Sequence, residues 1–130
     1  MTGPFVLAAG GTGGHLFPAE AVAAELLGGG NAVHLLCDAR ADAFSGRLPA
    51  IVTHHVRAGR LGGGAAHTAQ ALGELAWGTL QARRLLRRLR PACVVGFGGY
   101  PSVPGMLAAV YLGLPTLIHE QNAVLGRANR

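Results

Sequence analysis

Three times along this chain a short apolar run opens into a turn of small or polar residues where a helix is due. Residues 5–8 lead into Gly10-Gly11-Thr12-Gly13-Gly14-His15, residues 93–97 into Gly98-Gly99-Tyr100-Pro101-Ser102, and residues 116–118 into His119-Glu120-Gln121-Asn122. Short β-branched and apolar runs alternating with helical stretches predict parallel strands joined by crossover helices, not hairpins. The expected fold class is therefore α/β, a doubly wound, Rossmann-like parallel sheet. In such sheets ligands sit at the carboxyl ends of the strands, so the three loops are expected to line one crevice.

The remaining elements follow the same grammar. Residues 32–37 and a short stretch at 51–54 are expected as strands, 18–27 and 68–90 as helices, 41–46 as a weak helical turn, and the glycine-rich 59–64 as a loop. Gly28-Gly29-Gly30 stops the first helix and allows a tight return to the sheet. Half of the 130 residues are apolar, enough to build the core of one compact domain. Cys37 and Cys93 lie inside expected strands with no CxxC or His-rich pattern, so they read as buried thiols of a reduced protein. His54, His55 and His67 lack a cysteine or carboxylate at ligand spacing, and no metal is assigned to them. The amino terminus has no basic segment of a signal peptide, and no apolar run approaches the length that spans a membrane; both point to a cytoplasmic chain.

The first loop carries the sharpest chemistry. Glycine fills four of its first five positions, which removes Cβ atoms where the backbone turns and lets N–H groups close on an anion at the positive end of the next helix. His15 follows at once, an imidazole that titrates near neutral pH. Two other phosphate loops are excluded: from Gly11 the run reads G-T-G-G-H-L, with Leu16 where the dinucleotide fingerprint needs its third glycine. A Walker loop needs a lysine, and all eleven basic residues here are arginine. The alternative is a strand-to-helix turn that binds nothing.

The segments GGTGGHLFPAEAVAAEL, VVGFGGYPSVPG and IHEQNAVLGRANR resemble, in order and spacing, the amino-terminal domain of the MurG family of N-acetylglucosaminyltransferases. The resemblance runs from about Phe5 to Arg130. It implies the amino-terminal half of a glycosyltransferase B fold, with residues 1–130 as an acceptor- and membrane-binding domain, truncated relative to the family and lacking the carboxy-terminal donor domain. The implied reaction moves N-acetylglucosamine from UDP to the 4-hydroxyl of the muramyl sugar of lipid I, with inversion and without a cofactor or metal, giving lipid II for peptidoglycan. A base must take the hydroxyl proton as the anomeric carbon is attacked. His15 and Glu120 are the two candidates, and His15 could instead be purely structural or contact phosphate. By resemblance Thr12, Gly13, Gly14 and Asn122 touch the UDP-sugar, and Gly98, Gly99, Tyr100 and Ser102 the acceptor diphosphate. Tyr100 could equally be a ring packed over its loop. The implied partners are UDP-N-acetylglucosamine, lipid I, the anionic cytoplasmic leaflet of the bacterial inner membrane and other cell-wall synthesis proteins. The alternative is a non-catalytic module that binds a nucleotide or a lipid diphosphate.

The formal charge of +5 is concentrated on the long helix. At about 100° per residue, Leu72, Leu75, Ala82, Leu86 and Leu89 fall on one expected core face, and Trp77, Arg84 and Arg88 gather opposite. Indole among guanidinium groups suits an anionic membrane interface. The bland reading is a solvated basic face with Trp77 tucked under the 59–64 loop. Nucleic acid is disfavoured by the absence of lysine and of interleaved aromatic residues.

Overall fold

The computed structural model describes residues 3–10, 13–38, 50–57 and 64–130. The expected turn at 41–46, residue Thr12 and most of the 59–64 loop lie outside the described residues. The elements run β1 (Phe5–Ala8), α1 (Gly13–Gly28), β2 (Val33–Cys37), β3 (Val52–His55), α2 (Ala65–Leu89), β4 (Cys93–Gly96), a 3-10 turn (Tyr100–Ser102), α3 (Val103–Tyr111) and β5 (Thr116–Ile118). All strands are parallel, in the order β3-β2-β1-β4-β5.

Helices cover both faces of this sheet, and strand alternation decides which residues meet which helix. Leu7, Ala9, Leu35, Cys37, Val95 and Phe97 pack with Leu16, Ala19 and Ala23 of α1. Val6, Ala8, Leu36 and Val94 pack on the other side with Ala82 and Leu86 of α2 and Ala108 and Ala109 of α3. Residues buried from both sides explain why the central strands read as continuous apolar runs. Cys37 is buried and Cys93 half-buried, and the two form no disulfide.

Two expectations are corrected. Helix α1 begins at Gly13, not at Pro18. Pro18 lies inside the helix, where it lacks the N–H that would reach the carbonyl of Gly14 and its ring crowds that carbonyl, but the turn before it stays helical as Leu16 packs into the core. The second correction concerns the core face of α2. Leu72 is 51% exposed, and the buried residues are Ala71, Gly78, Ala82 and Leu86, with Leu75 and Leu89 half-buried. The stripe is rotated because α2 comes so close to the exit of β3 that a Cβ on Gly78 would overlap the carbonyl of Arg57. Small residues, not leucines, occupy the line of closest approach, and Gln81 accepts the Arg57 N–H at 3.1 Å beside it. Helix α2 ends at Leu89, where Arg90 turns left-handed (φ 49°) before Pro91, its N–H bonded to the Leu86 carbonyl.

Candidate active site

The chain leaves β1 toward β2 on one side and later takes up β4 on the other, so the carboxyl ends of β1 and β4 flank the switch point of the sheet. Pairing continues past the strand ends. Ala9 donates to the Leu36 carbonyl at 3.1 Å, Phe97 to Ala8 at 2.9 Å and His119 to Gly96 at 2.8 Å. The three loops therefore start in register.

Gly13, Gly14 and His15 form the first turn of α1, so their N–H groups belong to the positive end of a 16-residue helix. Half-buried, His15 lies against the second loop. A Cβ on Gly98 would sit 3.2 Å from His15 Cδ2, and one on Gly99 would sit 3.2 Å from its Nδ1. Both glycines have positive φ, 91° and 80°. The turn thus needs glycine twice over, for its backbone and for the room the imidazole takes. Ser102 is buried and donates its hydroxyl to the Gly99 carbonyl at 2.8 Å, while its N–H reaches the same oxygen at 3.0 Å. Tyr100 is half-buried and lines a cleft with Leu75 of α2, Val103 and Leu107 of α3, and residues 127, 128 and 130.

The third loop is organised by Glu120. One carboxylate oxygen accepts from the Asn122 N–H (3.2 Å) and the Asn122 side-chain amide (3.1 Å). The other accepts from the Gly126 N–H (2.8 Å) and the amide of Asn129 (3.0 Å). Chiefly through the Gly126 N–H, then the Asn129 amide, these donors hold the carboxyl at a pKa of about 2. A carboxylate so stabilised is a weak proton acceptor at neutral pH. Asn122 is exposed beside it. The His119 ring packs on Phe97, centroids 5.3 Å apart, with its Nδ1 buried.

Sequence reasoning missed Asn129. Buried at 8% exposure, it also donates to the His119 carbonyl at 3.2 Å, and its amide nitrogen would lie 3.3 Å from a Cβ on Gly98. It joins the third loop to the glycine turn on which His15 rests. Asp38, at the end of β2, was missed too; its carboxylate would lie 3.5 Å from a Cβ on Gly10. Neither carries a spacing signal, since a single Asn or Asp in a polar stretch is ordinary loop composition.

Two features lie away from this crevice. His34 Nδ1 and His54 Nε2 are 2.9 Å apart with the rings stacked across β2 and β3. Burial lowers both pKa values, and for His54 the charges of His34 and His55 add to the effect. On α2, Trp77 is 49% exposed with Arg84 and Arg88 exposed on the same side. The Arg83 guanidinium lies 4.8 Å over the ring of Tyr111, which with Leu107 and Val110 is exposed on α3. Among the described residues no three metal-ligating side chains cluster, and no helix is long and apolar enough to cross a membrane.

Residues 5–130 match the family model of the glycosyltransferase family 28 N-terminal domain. The chain is 61% identical over 127 residues to the UDP-N-acetylglucosamine--N-acetylmuramyl-(pentapeptide) pyrophosphoryl-undecaprenol N-acetylglucosamine transferase of Rhodospirillum centenum, covering 98% of this chain and 34% of that protein. The enzyme of the same name from Sinorhizobium medicae is 55% identical over 129 residues, with 98% and 34% covered. The chain thus spans about a third of the length of these relatives. Acinetobacter baumannii MurG has a similar crystal structure, with a TM-score of 0.78 and 36% identity over 96% of this chain and 36% of that one. A kitacinnamycin glycotransferase shares the fold at 18% identity and a TM-score of 0.72, over 95% and 31% of the two chains. The parallel sheet, the paired glycine turns at its switch point and the family match from the first strand onward agree: the chain belongs to glycosyltransferase family 28, as its N-terminal domain.

Proposed function

We propose that this chain is the acceptor-binding half of an inverting N-acetylglucosaminyltransferase that converts lipid I to lipid II at the cytoplasmic face of the bacterial inner membrane. The observation that carries this reading is the seat of His15 on the Gly98–Gly99 turn. It brings a proton acceptor, a helix N-terminus and a second glycine loop to one point, which is what transfer to a hydroxyl beside a diphosphate needs.

In the proposed step the 4-hydroxyl of the muramyl sugar attacks the anomeric carbon, its proton passes to His15, and the bond to UDP breaks as the diphosphate leaves. Glu120, committed to four donors, acts by holding the third loop and presenting Asn122 to the donor sugar. Thr12, Gly13 and Gly14 contact the donor. Gly98, Gly99 and Tyr100 face the acceptor diphosphate, and Ser102 keeps their turn closed from inside. Trp77, Arg84 and Arg88 rest on anionic lipid, the indole adding buried area and each arginine about 1 kcal/mol near the surface.

The test is a chimera in which residues 5–130 replace the matching third of the Rhodospirillum centenum relative. Supplied with lipid I and radiolabelled UDP-N-acetylglucosamine, it should form labelled lipid II. Absence of transfer by a folded chimera, with the parent active, would overturn the reading.

A further inference from the structure

His34 and His54 meet away from the three loops, on the two strands at one border of the described sheet, and the transferase reading gives them no task. In the register of β2 with β3, Leu36 stands opposite His54, so His34 and His54 share one face as a diagonal pair. Their rings are nearly parallel, 12° apart, and His34 Nδ1 faces His54 Nε2 at 2.9 Å. A single proton fits between the two nitrogens. Both residues are half-buried.

Two nitrogens held this close on paired strands are also the start of a coordination sphere. At a bond length of about 2.0–2.1 Å, donors 2.9 Å apart subtend about 90° at an ion. A tetrahedral ion would need them about 3.4 Å apart, and an ion on the line between them about 4 Å. The spacing fits the cis edge of a square-planar or tetragonal site, the geometry of Cu(II) and Ni(II) with nitrogen donors. Rotation about χ2, a broad torsion in histidine, turns both lone pairs off the N–N line toward such an ion.

The surroundings favour the neutral rings that a metal needs. Burial lowers the pKa of both, and the charges of His34 and His55 lower that of His54 further. The donor set is nitrogen alone. Cys37 lies with Val33 and Leu35 in the core on the other face of β2, and His55, opposite Cys37, alternates to that face as well. Without a thiolate the pair suits a divalent ion and not Cu(I). Among the described residues no third metal-ligating side chain joins it, so water completes the sphere.

We infer that His34 and His54 form a two-histidine site for a divalent transition-metal ion of the copper or nickel type, which ties the border strand β3 to β2. On binding, each facing nitrogen forms a metal bond, and the proton between them moves through water to the outer nitrogen of the ring that held it. Both imidazoles stay neutral. The gain falls on β3, a four-residue strand that pairs only with β2 among the described residues. Metal bound there acts on stability and not on sugar transfer.

The untagged 130-residue chain tests this with nickel chloride. Calorimetry should show one Ni(II) bound per chain, and saturating Ni(II) should raise the melting temperature. His34→Gln and His54→Gln should each weaken binding at least about tenfold and abolish that rise, whereas His55→Gln, His67→Gln and Cys93→Ala should keep both. A rise that survives His54→Gln, or loss of binding in one of the three control variants, would overturn the site. If a glutamine variant does not fold, the wild-type protein decides alone. Loaded with one equivalent of Cu(II), its electron paramagnetic resonance spectrum should carry the splitting of two nitrogens at one tetragonal ion. Fewer than two coupled nitrogens, or no Ni(II) binding at all, would overturn it as well.

Discussion

The side-chain amide of Asn129 donates to Glu120 Oε2 at 3.0 Å, and through that bond a loop of twelve residues, 119–130, closes on itself beneath the glycine turn. Because the same amide reaches the His119 carbonyl, loosening either partner releases both ends of the loop.

Glu120 should therefore give the domain an acid-sensitive contribution. Its folded pKa, about 2, lies below the ordinary 4.5, so the unfolded chain binds more protons between these values. The stabilisation is complete above pH 4.5 and is lost as pH falls toward 2. Thermal unfolding of Glu120→Gln followed from pH 7 to 2 should show a lower melting temperature at neutral pH and a shallower acid limb than wild type. Identical limbs would mean that the four hydrogen bonds do not hold the loop in solution.

A second window lies higher. His34 and His54 have lowered pKa values in the fold, so protons favour the unfolded chain as pH drops below 6.5, and stability declines there. His54→Gln should flatten the slope between pH 6.5 and 5 without changing the slope below 4.5, which separates this pair from Glu120. Chemical denaturation at several pH values measures both.

Gly99→Ala should be costly in two ways. A Cβ at φ 80° is strained and would press on His15 Nδ1 and on the Gly10 carbonyl. The expected loss is about 1–3 kcal/mol of stability, and kcat of the chimera should fall while KM for UDP-N-acetylglucosamine moves little. Wild-type kcat in this variant would show that the ring position does not matter.

His15→Ala in the chimera should lower kcat by about 10²- to 10⁴-fold, the usual worth of a general base. Glu120→Gln keeps most donors engaged and should cost far less. The reverse ranking, read from initial rates at saturating donor, would move the base to the third loop.

Arg84→Glu with Arg88→Glu should release the domain from vesicles containing phosphatidylglycerol at low salt, with the circular dichroism spectrum unchanged because both side chains are exposed. Trp77→Ala should weaken binding at every salt concentration, since buried indole area is not screened. Sedimentation of all three proteins equally with vesicles would leave the helix an ordinary solvated face.

What could be read in advance was whatever depends on neighbours in sequence. The five parallel strands, the second glycine turn and the charged side of α2 come from spacing alone, and they lie where spacing put them. What could not be read depends on neighbours in space. Leu72 looks like a core residue by periodicity, yet the approach of Gly78 to the Arg57 backbone turns it outward. Asn129 becomes structural only because two loop ends meet around it. His34 and His54 stand twenty positions apart and meet only because β2 and β3 pair with Leu36 opposite His54. Pro18 suggested a helix start because proline favours first turns, but packing of Leu16 extends α1 to Gly13.

Strand β5 lies at the border of the sheet, pairs only with β4 among the described residues, and exposes all three of its residues, Leu117 and Ile118 at 54% and 50%. A flat apolar border with free backbone donors and acceptors recruits other strands, including those of identical chains. For the 130-residue polypeptide handled alone, solubility is therefore governed at β5, the strand that leads into the third loop: concentrated samples should gel or precipitate through strand-to-strand contact, and a lysine at position 117 would keep them clear.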